Sequence, residues 1–218
     1  MIISINAPSY KRPDGVLTLK YLPFCRIWVC ETELDRYREH NPGANLMSMP
    51  KGVQGNLCRV RNWILDHEFE AGVDGVCMID DDLGHLAYWE TNQRIRITAR
   101  EFYPFLMRYT HMAQELGVKI WGVNVNNDKQ VYREYTPFSL LGYIGGPFSV
   151  HLPNPIRYDE SLPLKEDYDM TLQHLNKFRR VLRLNKYYYM AKQGGSGTAS
   201  GQKGGCAEYR SVEEEKRQ

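Results

Sequence analysis

Apolar positions along the chain fall into short blocks whose spacing switches between strand and helix periods. Ile2 to Ile5 is a β-rich run ended by Asn6-Ala7-Pro8, which predicts a first strand and a loop. Arg26 to Cys30 (RIWVC) predicts a second strand, followed by acidic Glu31. Polar residues 32–40 predict a helix that Asn41-Pro42-Gly43 stops, and Leu46 to Met49 predicts a brief third strand. After a loop at Gly52 to Gly55, Leu57 to Phe69 predicts a helix ended by Gly72. At about 100° per residue, Leu57, Val60, Ile64 and Leu65 share one arc, with Arg61 inside it and Arg59, Asn62 and Asp66 outside. A guanidinium on an apolar arc costs free energy unless something pairs with it.

Val76 to Ile79 is a continuous apolar run, as in a strand covered on both faces, and Asp80-Asp81-Asp82 follows it. Thr98 and Glu101 form a capping box. Behind it Phe102, Phe105, Leu106, Tyr109, Met112, Ala113 and Leu116 recur at helical spacing until Gly117. Lys119 to Val125 predicts a strand, and residues 138–152 predict two short strands around Gly145-Gly146-Pro147. Glu166 to Phe178 predicts a helix whose acidic first turn suits the macrodipole, and Val181 to Met190 a last strand. This order predicts an α/β sandwich with a mixed sheet. Residues 1–190 form the expected domain. Residues 191–218 follow as a flexible Gly-rich loop and charged tail, because Lys192 to Gly205 offers nothing for a core.

Composition adds limits. The chain has 218 residues, 42% hydrophobic and 25% charged, which is ordinary for one globular domain. Its 15 Tyr, 7 Phe and 4 Trp argue against wholesale disorder. No apolar run approaches the ~20 residues of a membrane span. The first residues lack the basic and long apolar regions of a signal peptide. Five cysteines (Cys25, Cys30, Cys58, Cys77 and Cys206) form no C-x-x-C pair, so we expect reduced thiols and a cytoplasmic location. A net charge of +2 is too balanced to argue for nucleic acid by itself. Two local clusters can track phosphates or face solvent: Arg94, Arg96 and Arg100, and then Lys177, Arg179, Arg180, Arg183 and Lys186.

The strongest chemical signal is the aspartate triplet. Strand alternation points Asp80 and Asp82 the same way, and open α/β sheets bind ligands beyond the carboxyl ends of their strands. Two carboxylates there suit Mg²⁺ or Mn²⁺ bridging a diphosphate. The plain alternative is an acidic turn after a core strand, although three adjacent carboxylates repel one another. His85 lies within reach of such a metal and is otherwise a surface loop residue. Glu166 and Asp167 at a helix start are explained by capping alone, or supply a general base. Arg61 pairs with an aspartate of the triplet or contacts a phosphate. The Gly-rich loop with Lys192 and Lys203 can fold over a pyrophosphate, without the spacing of a P-loop. Tyr187-Tyr188-Tyr189 and the segment from Tyr132 to Phe138 can stack bases or sugars, or simply pack.

Together these residues resemble the GT-A fold of nucleotide-sugar glycosyltransferases, especially the family 2 pattern. The carriers are Ile3 to Arg12, an acidic residue after the second strand, Gly55 to Asn62, the D-x-D element Asp80/Asp82 and the Glu166-Asp167 pair. The resemblance implies a three-layer sandwich with a mixed, mainly parallel sheet. It also implies a UDP-sugar or similar donor held by Pro8, Tyr10, Arg12, Glu31, Arg61, Asn62, Asp80, Asp81 and Lys203. Glu31 stands where that family usually has Asp. Mn²⁺ or Mg²⁺ would sit on Asp80 and Asp82, and Asp167 beside Glu166 would be the base, which implies inversion. The chain's size, its lack of a membrane segment and its Gly-rich C-terminal loop more narrowly resemble the TET-associated glycosyltransferases of phages. That resemblance implies sugar transfer to hydroxymethylated pyrimidines in DNA. Other expectations are a glycosyltransferase with a non-DNA acceptor, a haloacid-dehalogenase-like phosphatase, or a nucleic-acid-binding accessory protein.

Overall fold

In the computed structural model, which describes residues 1–162 and 164–191, four parallel strands make one half of a sheet. They are β1 (Ile3–Pro8), β2 (Arg26–Cys30), β3 (Asn45–Met49) and β4 (Gly75–Ile79). The other half contains β5 (Leu83–Glu90), β6 (Gln93–Arg96), β7 (Ile120–Asn124), β8 (Phe138–Ser139), β9 (Phe148–His151) and β10 (Leu182–Ala191). The order is β3-β2-β1-β4-β9-β7-β10-β5-β6, with β8 paired to β10. Strand β9 runs antiparallel between β4 and β7, and β10 is parallel to β7 but antiparallel to β5.

The central strands are buried on both faces, and their alternation sorts side chains into two cores. Ile27, Val29, Cys77 and Ile79 join one core, with Tyr21 of α1 (Thr18–Tyr21) and Tyr37 of α2 (Leu34–His40). Phe102, Phe105 and Leu106 of a later helix, Ala99–Glu115, complete that face. Trp28, Val76 and Met78 point the other way, to Val60, Ile64 and Leu65 of α3 (Leu57–Glu70). We call the helix Ala99–Glu115 α4; α5 (Glu166–Phe178) adds Met170 to the second core. Helices thus cover both faces, and the α/β sandwich has three layers. Ile64 and Leu65 are at most 1% exposed, and burial of such side chains stabilises by roughly 1.5–3 kcal/mol each.

The expected capping box is present: Thr98 and Glu101 satisfy each other's backbone N–H groups at the start of α4. Three features differ from expectation. Strand β1 continues through Pro8, which sits opposite Trp28. Residues 83–96, read without strands, form the β5–β6 hairpin, turned by Thr91 and Asn92 at φ 43° and 70°. Positive φ at both turn residues matches the right-handed strand twist, but the usual glycine signal is missing. Asn62, placed outside the apolar arc of α3, is buried because the segment around Tyr158 covers it.

Among the described residues, no helix is long and apolar enough to cross a membrane. Cys25, Cys30, Cys58 and Cys77 are unpaired and buried. The Gly-rich loop with Lys192 and Lys203, Cys206 and the charged tail lie outside the described residues.

Candidate active site

The carboxyl ends of β1, β2 and β4 open onto one edge of the sheet, where the aspartate triplet forms a tight turn leading into β5. Thr18 ties this turn down. Its hydroxyl donates to the Asp80 carbonyl (2.6 Å) and accepts from the Leu83 N–H (3.0 Å), and its own N–H donates to the Asp81 carbonyl (3.0 Å).

The three carboxylates have different surroundings. Asp81 is 1% exposed and accepts from Ser9 Oγ (2.5 Å) and from the Arg12 guanidinium. Burial raises it to about 6 against the pull of Arg12 and Ser9. Tyr37 also bonds Ser9 Oγ and the Arg12 N–H, so the loop of residues 9–12 is pinned to the triplet. Asp81 and Arg12, two expected donor contacts, are thus engaged with each other.

Asp82 is the least compensated of the three. Burial, joined by the negative charges of Asp80 and Asp81, raises it to about 7 against the pull of Arg12. Among the described residues no cationic side chain pairs with its carboxylate. A partly enclosed anion beside a second carboxylate is a donor set that favours a hard cation. Among the described residues there is no group of three or more His, Cys, Asp or Glu that could hold a metal. Two carboxylates suffice for Mg²⁺ or Mn²⁺ when phosphate oxygens and water supply the other ligands. The residues therefore fit such an ion. His85 lies in β5 opposite Met190, and its imidazole is held low by burial and by Arg96 and Arg94.

Arg61 resolves one of the open alternatives: it pairs with the triplet. The side chain is 1% exposed; Nη2 donates to Asp80 Oδ1 (2.8 Å) and Nη1 to Glu166 Oε1 (3.0 Å). Nη2 also lies 3.3 Å from the Gly146 carbonyl. The α3 arc thus buries its arginine where two carboxylates from other elements converge, which offsets its desolvation.

Asp167, the next residue, accepts from the Tyr143 hydroxyl and from the Gly146 N–H (2.9 Å) on one carboxylate oxygen. Its other oxygen accepts from the Tyr168 N–H (2.9 Å). The rings of Tyr143 and Tyr168 stack with centroids 4.1 Å apart. Tyr189 completes this wall. A Cβ on Gly145 would lie 2.8 Å from its hydroxyl, and Asp80 and Asp167 both help hold that phenol protonated after burial. Gly146 is less constrained, its Cβ coming to 3.3 Å from Arg61 Nη1 and 3.4 Å from Asp167 Oδ2.

Of the other expected residues, Pro8, Tyr10 and Glu31 stand at the carboxyl ends of β1 and β2, on the same edge of the sheet. Pro8 and Tyr10 lie at and beyond the end of β1, and the Lys11 ammonium sits 4.8 Å over the Tyr10 ring. Glu31 is exposed after β2 and accepts from the Lys51 N–H (3.0 Å). The Asn62 amide donates to the Tyr158 carbonyl (2.9 Å) and to Glu160 (3.1 Å), and its carbonyl accepts from the Tyr158 N–H (2.7 Å), which holds the chain before α5. Lys203 lies outside the described residues. Tyr189 belongs to the tyrosine run expected to stack bases or sugars or simply to pack, whereas Tyr143, Gly146 and Tyr168 were not among the expected site residues. Of these three, Gly146 alone carried a sequence signal, as part of the Gly145-Gly146-Pro147 turn.

The sequence model of the TET-Associated Glycosyltransferase family matches residues 3–201. No curated protein matches the chain. Among solved structures, the chain is similar to A197 from STIV at 12% identity and a TM-score of 0.45, covering 88% of this chain and 85% of that one. It is also similar to a putative nucleotide-diphospho-sugar transferase from Desulfovibrio desulfuricans G20 at 12% identity and a TM-score of 0.44, covering 84% and 79%.

Proposed function

The chain belongs to the TET-associated glycosyltransferase family, and from that premise we propose that it moves a sugar from a nucleotide-diphosphate sugar, of the UDP-sugar class, to the hydroxyl of a hydroxymethylated pyrimidine in DNA. The observation that carries this reading is Arg61 bridging Asp80 and Glu166, which brings the aspartate turn and the start of α5 to one opening. The donor diphosphate would lie against Asp80 and Asp82 and the acceptor against Asp167.

Asp80 and Asp82 would hold Mn²⁺ or Mg²⁺, whose charge offsets that of a diphosphate. Asp167 receives the proton of the acceptor hydroxyl, and Tyr143 and Gly146 orient its carboxylate for that task. The acceptor oxygen forms its bond to the anomeric carbon as the bond from that carbon to the diphosphate breaks. The electron pair leaves with the nucleoside diphosphate. One displacement of this kind inverts the anomeric centre. Arg61 sets the spacing of Asp80 and Glu166, and Tyr189 and the stacked Tyr143 and Tyr168 wall the opening. Family membership displaces the phosphatase and binding-only expectations.

The test is calorimetric titration of nucleoside diphosphates into the full chain with Mn²⁺ and then with EDTA. Sugar transfer is then followed by mass spectrometry on oligonucleotides with and without hydroxymethylcytosine. Metal-dependent binding of one nucleotide and a one-sugar mass gain on the modified oligonucleotide are expected. Transfer that persists in EDTA overturns the metal role, and transfer to a non-DNA acceptor alone overturns the acceptor.

A further inference from the structure

On the α4 face of the sheet, away from the aspartate turn, lies a groove of about 280 Å³. Its walls are Tyr88, Phe105, Tyr109 and Tyr187, with Arg96 and Arg108 at its lip. The rings form one connected cluster. Centroids are 4.9 Å apart for Phe105 with Tyr109 and for Phe105 with Tyr187, and 5.4 Å for Tyr88 with Tyr187. The cations lie against aromatic faces: Lys186 Nζ is 4.7 Å over Tyr88, and the Arg108 guanidinium is 5.4 Å over Tyr109. Arg96 and Arg108 are exposed, whereas Tyr88, Tyr109 and Tyr187 are half-buried. The one acid at the groove, Glu101, is already engaged in the capping box with Thr98.

We infer that this groove is a second nucleic-acid site, which holds an unpaired nucleotide of the acceptor strand by stacking its base on Tyr88 and Tyr187 and its phosphate on Arg96 and Arg108. An aromatic floor with a cationic lip suits a ligand that carries a planar ring and a phosphate together. An acidic peptide would use the arginines and leave the ring faces unfilled. Strand β5 gives the groove its relation to the active site. The strand starts at Leu83, immediately after Asp82, and Tyr88 lies about 17 Å along it at roughly 3.3 Å per residue. A strand lying along the hairpin can therefore occupy both places. The inference rests on DNA being the acceptor.

The test is fluorescence anisotropy of a labelled single-stranded oligonucleotide with the full chain, repeated over a salt series. Two variants are compared with wild type, Arg96→Ala/Arg108→Ala and Tyr88→Ala, and nucleotide binding by calorimetry is measured on all three. Wild type is expected to bind. The double arginine variant should bind at least tenfold more weakly, with a salt slope shallower by about 0.7, the contribution of one neutralised single-strand phosphate. Tyr88→Ala should weaken binding at least fivefold at an unchanged slope, and nucleotide binding should be retained throughout. DNA affinity and slope equal to wild type in both variants overturn the groove while leaving the acceptor reading intact. No DNA binding by wild type at low salt overturns both.

Discussion

Asp80 and Glu166 share the guanidinium of Arg61, at 2.8 Å and 3.0 Å, although one follows β4 and the other starts α5, far apart in sequence. The charge is 1% exposed while its partners are 31% and 15% exposed. Arg61 therefore depends on the carboxylates for its solvation, and they depend on it for their spacing. Arg61→Ala should leave two crowded carboxylates around a void and lower stability by about 3 kcal/mol. Urea denaturation reads this directly, and a loss under about 1 kcal/mol would show that the bridge does not hold the site together.

Asp82 and Asp80 should separate in their effects. Asp82→Asn removes a carboxylate that no described cation pairs, so the fold should tolerate it and thermal stability should hold or rise. Metal-dependent nucleotide binding should fall at least a hundredfold. Asp80→Asn should weaken binding as well and also cost stability, because it removes one of the two carboxylates that offset the buried charge of Arg61. Calorimetry with Mn²⁺ paired with thermal unfolding makes the comparison; nucleotide binding unchanged in Asp82→Asn would remove the metal from this turn.

Asp167→Asn should cut turnover about a thousandfold with nucleotide affinity kept. Tyr143→Phe keeps the stacked ring on Tyr168 and removes only the hydroxyl that orients Asp167. About a tenfold loss in turnover, again with nucleotide affinity kept, is expected. Steady-state kinetics on both variants would contradict the assigned base if Asp167→Asn retained most of the wild-type rate.

Gly145 has no room for a side chain. A Cβ there would meet Val125 Cγ1 at 2.6 Å and the Tyr189 hydroxyl at 2.8 Å. Gly145→Ala should push the 145–147 turn away from Arg61 and Asp167, costing about 1–3 kcal/mol and much of the activity. A variant as stable and active as wild type would show that the turn yields freely.

His151 and His174 should make the fold acid-sensitive. Burial holds His174 down at about 4, and burial, His174, Arg61 and Arg157 hold His151 well below its ordinary value. Both stay neutral in the fold, while the unfolded chain takes up their protons below about pH 6.5. Their contribution is complete above that value and falls as pH drops toward 4, by about 1.4 kcal/mol per unit for each histidine. Raised Asp81 and Asp82 act in the opposite direction. The comparison is therefore between wild type and His174→Gln by denaturant unfolding at pH 7.5 and 5, where the variant should lose less. Equal losses in both would show that His174 accepts a proton in the folded state.

Much of this protein was decided by local pattern. The apolar runs at Arg26 to Cys30 and Val76 to Ile79, the capping box at Thr98 and the acidic start at Glu166 mark strands and helices whatever surrounds them. The reason is that side-chain period and backbone hydrogen bonding act over a few residues. The aspartate triplet after a buried strand marked the opening for the same reason, and a charge on the apolar arc of α3 required a partner without naming it. Tertiary structure decided the rest. The β5–β6 hairpin exists because β10 offers β5 an edge to pair with, and its Thr91-Asn92 turn lacks a glycine signal. Asn62 is buried by the segment around Tyr158, which no helical wheel contains. Arg61 finds Asp80 and Glu166, and Asp167 finds Tyr143, only after the sheet brings β4, α3 and α5 together. Such pairings depend on distances between segments remote in sequence, and only the packed sheet sets those distances.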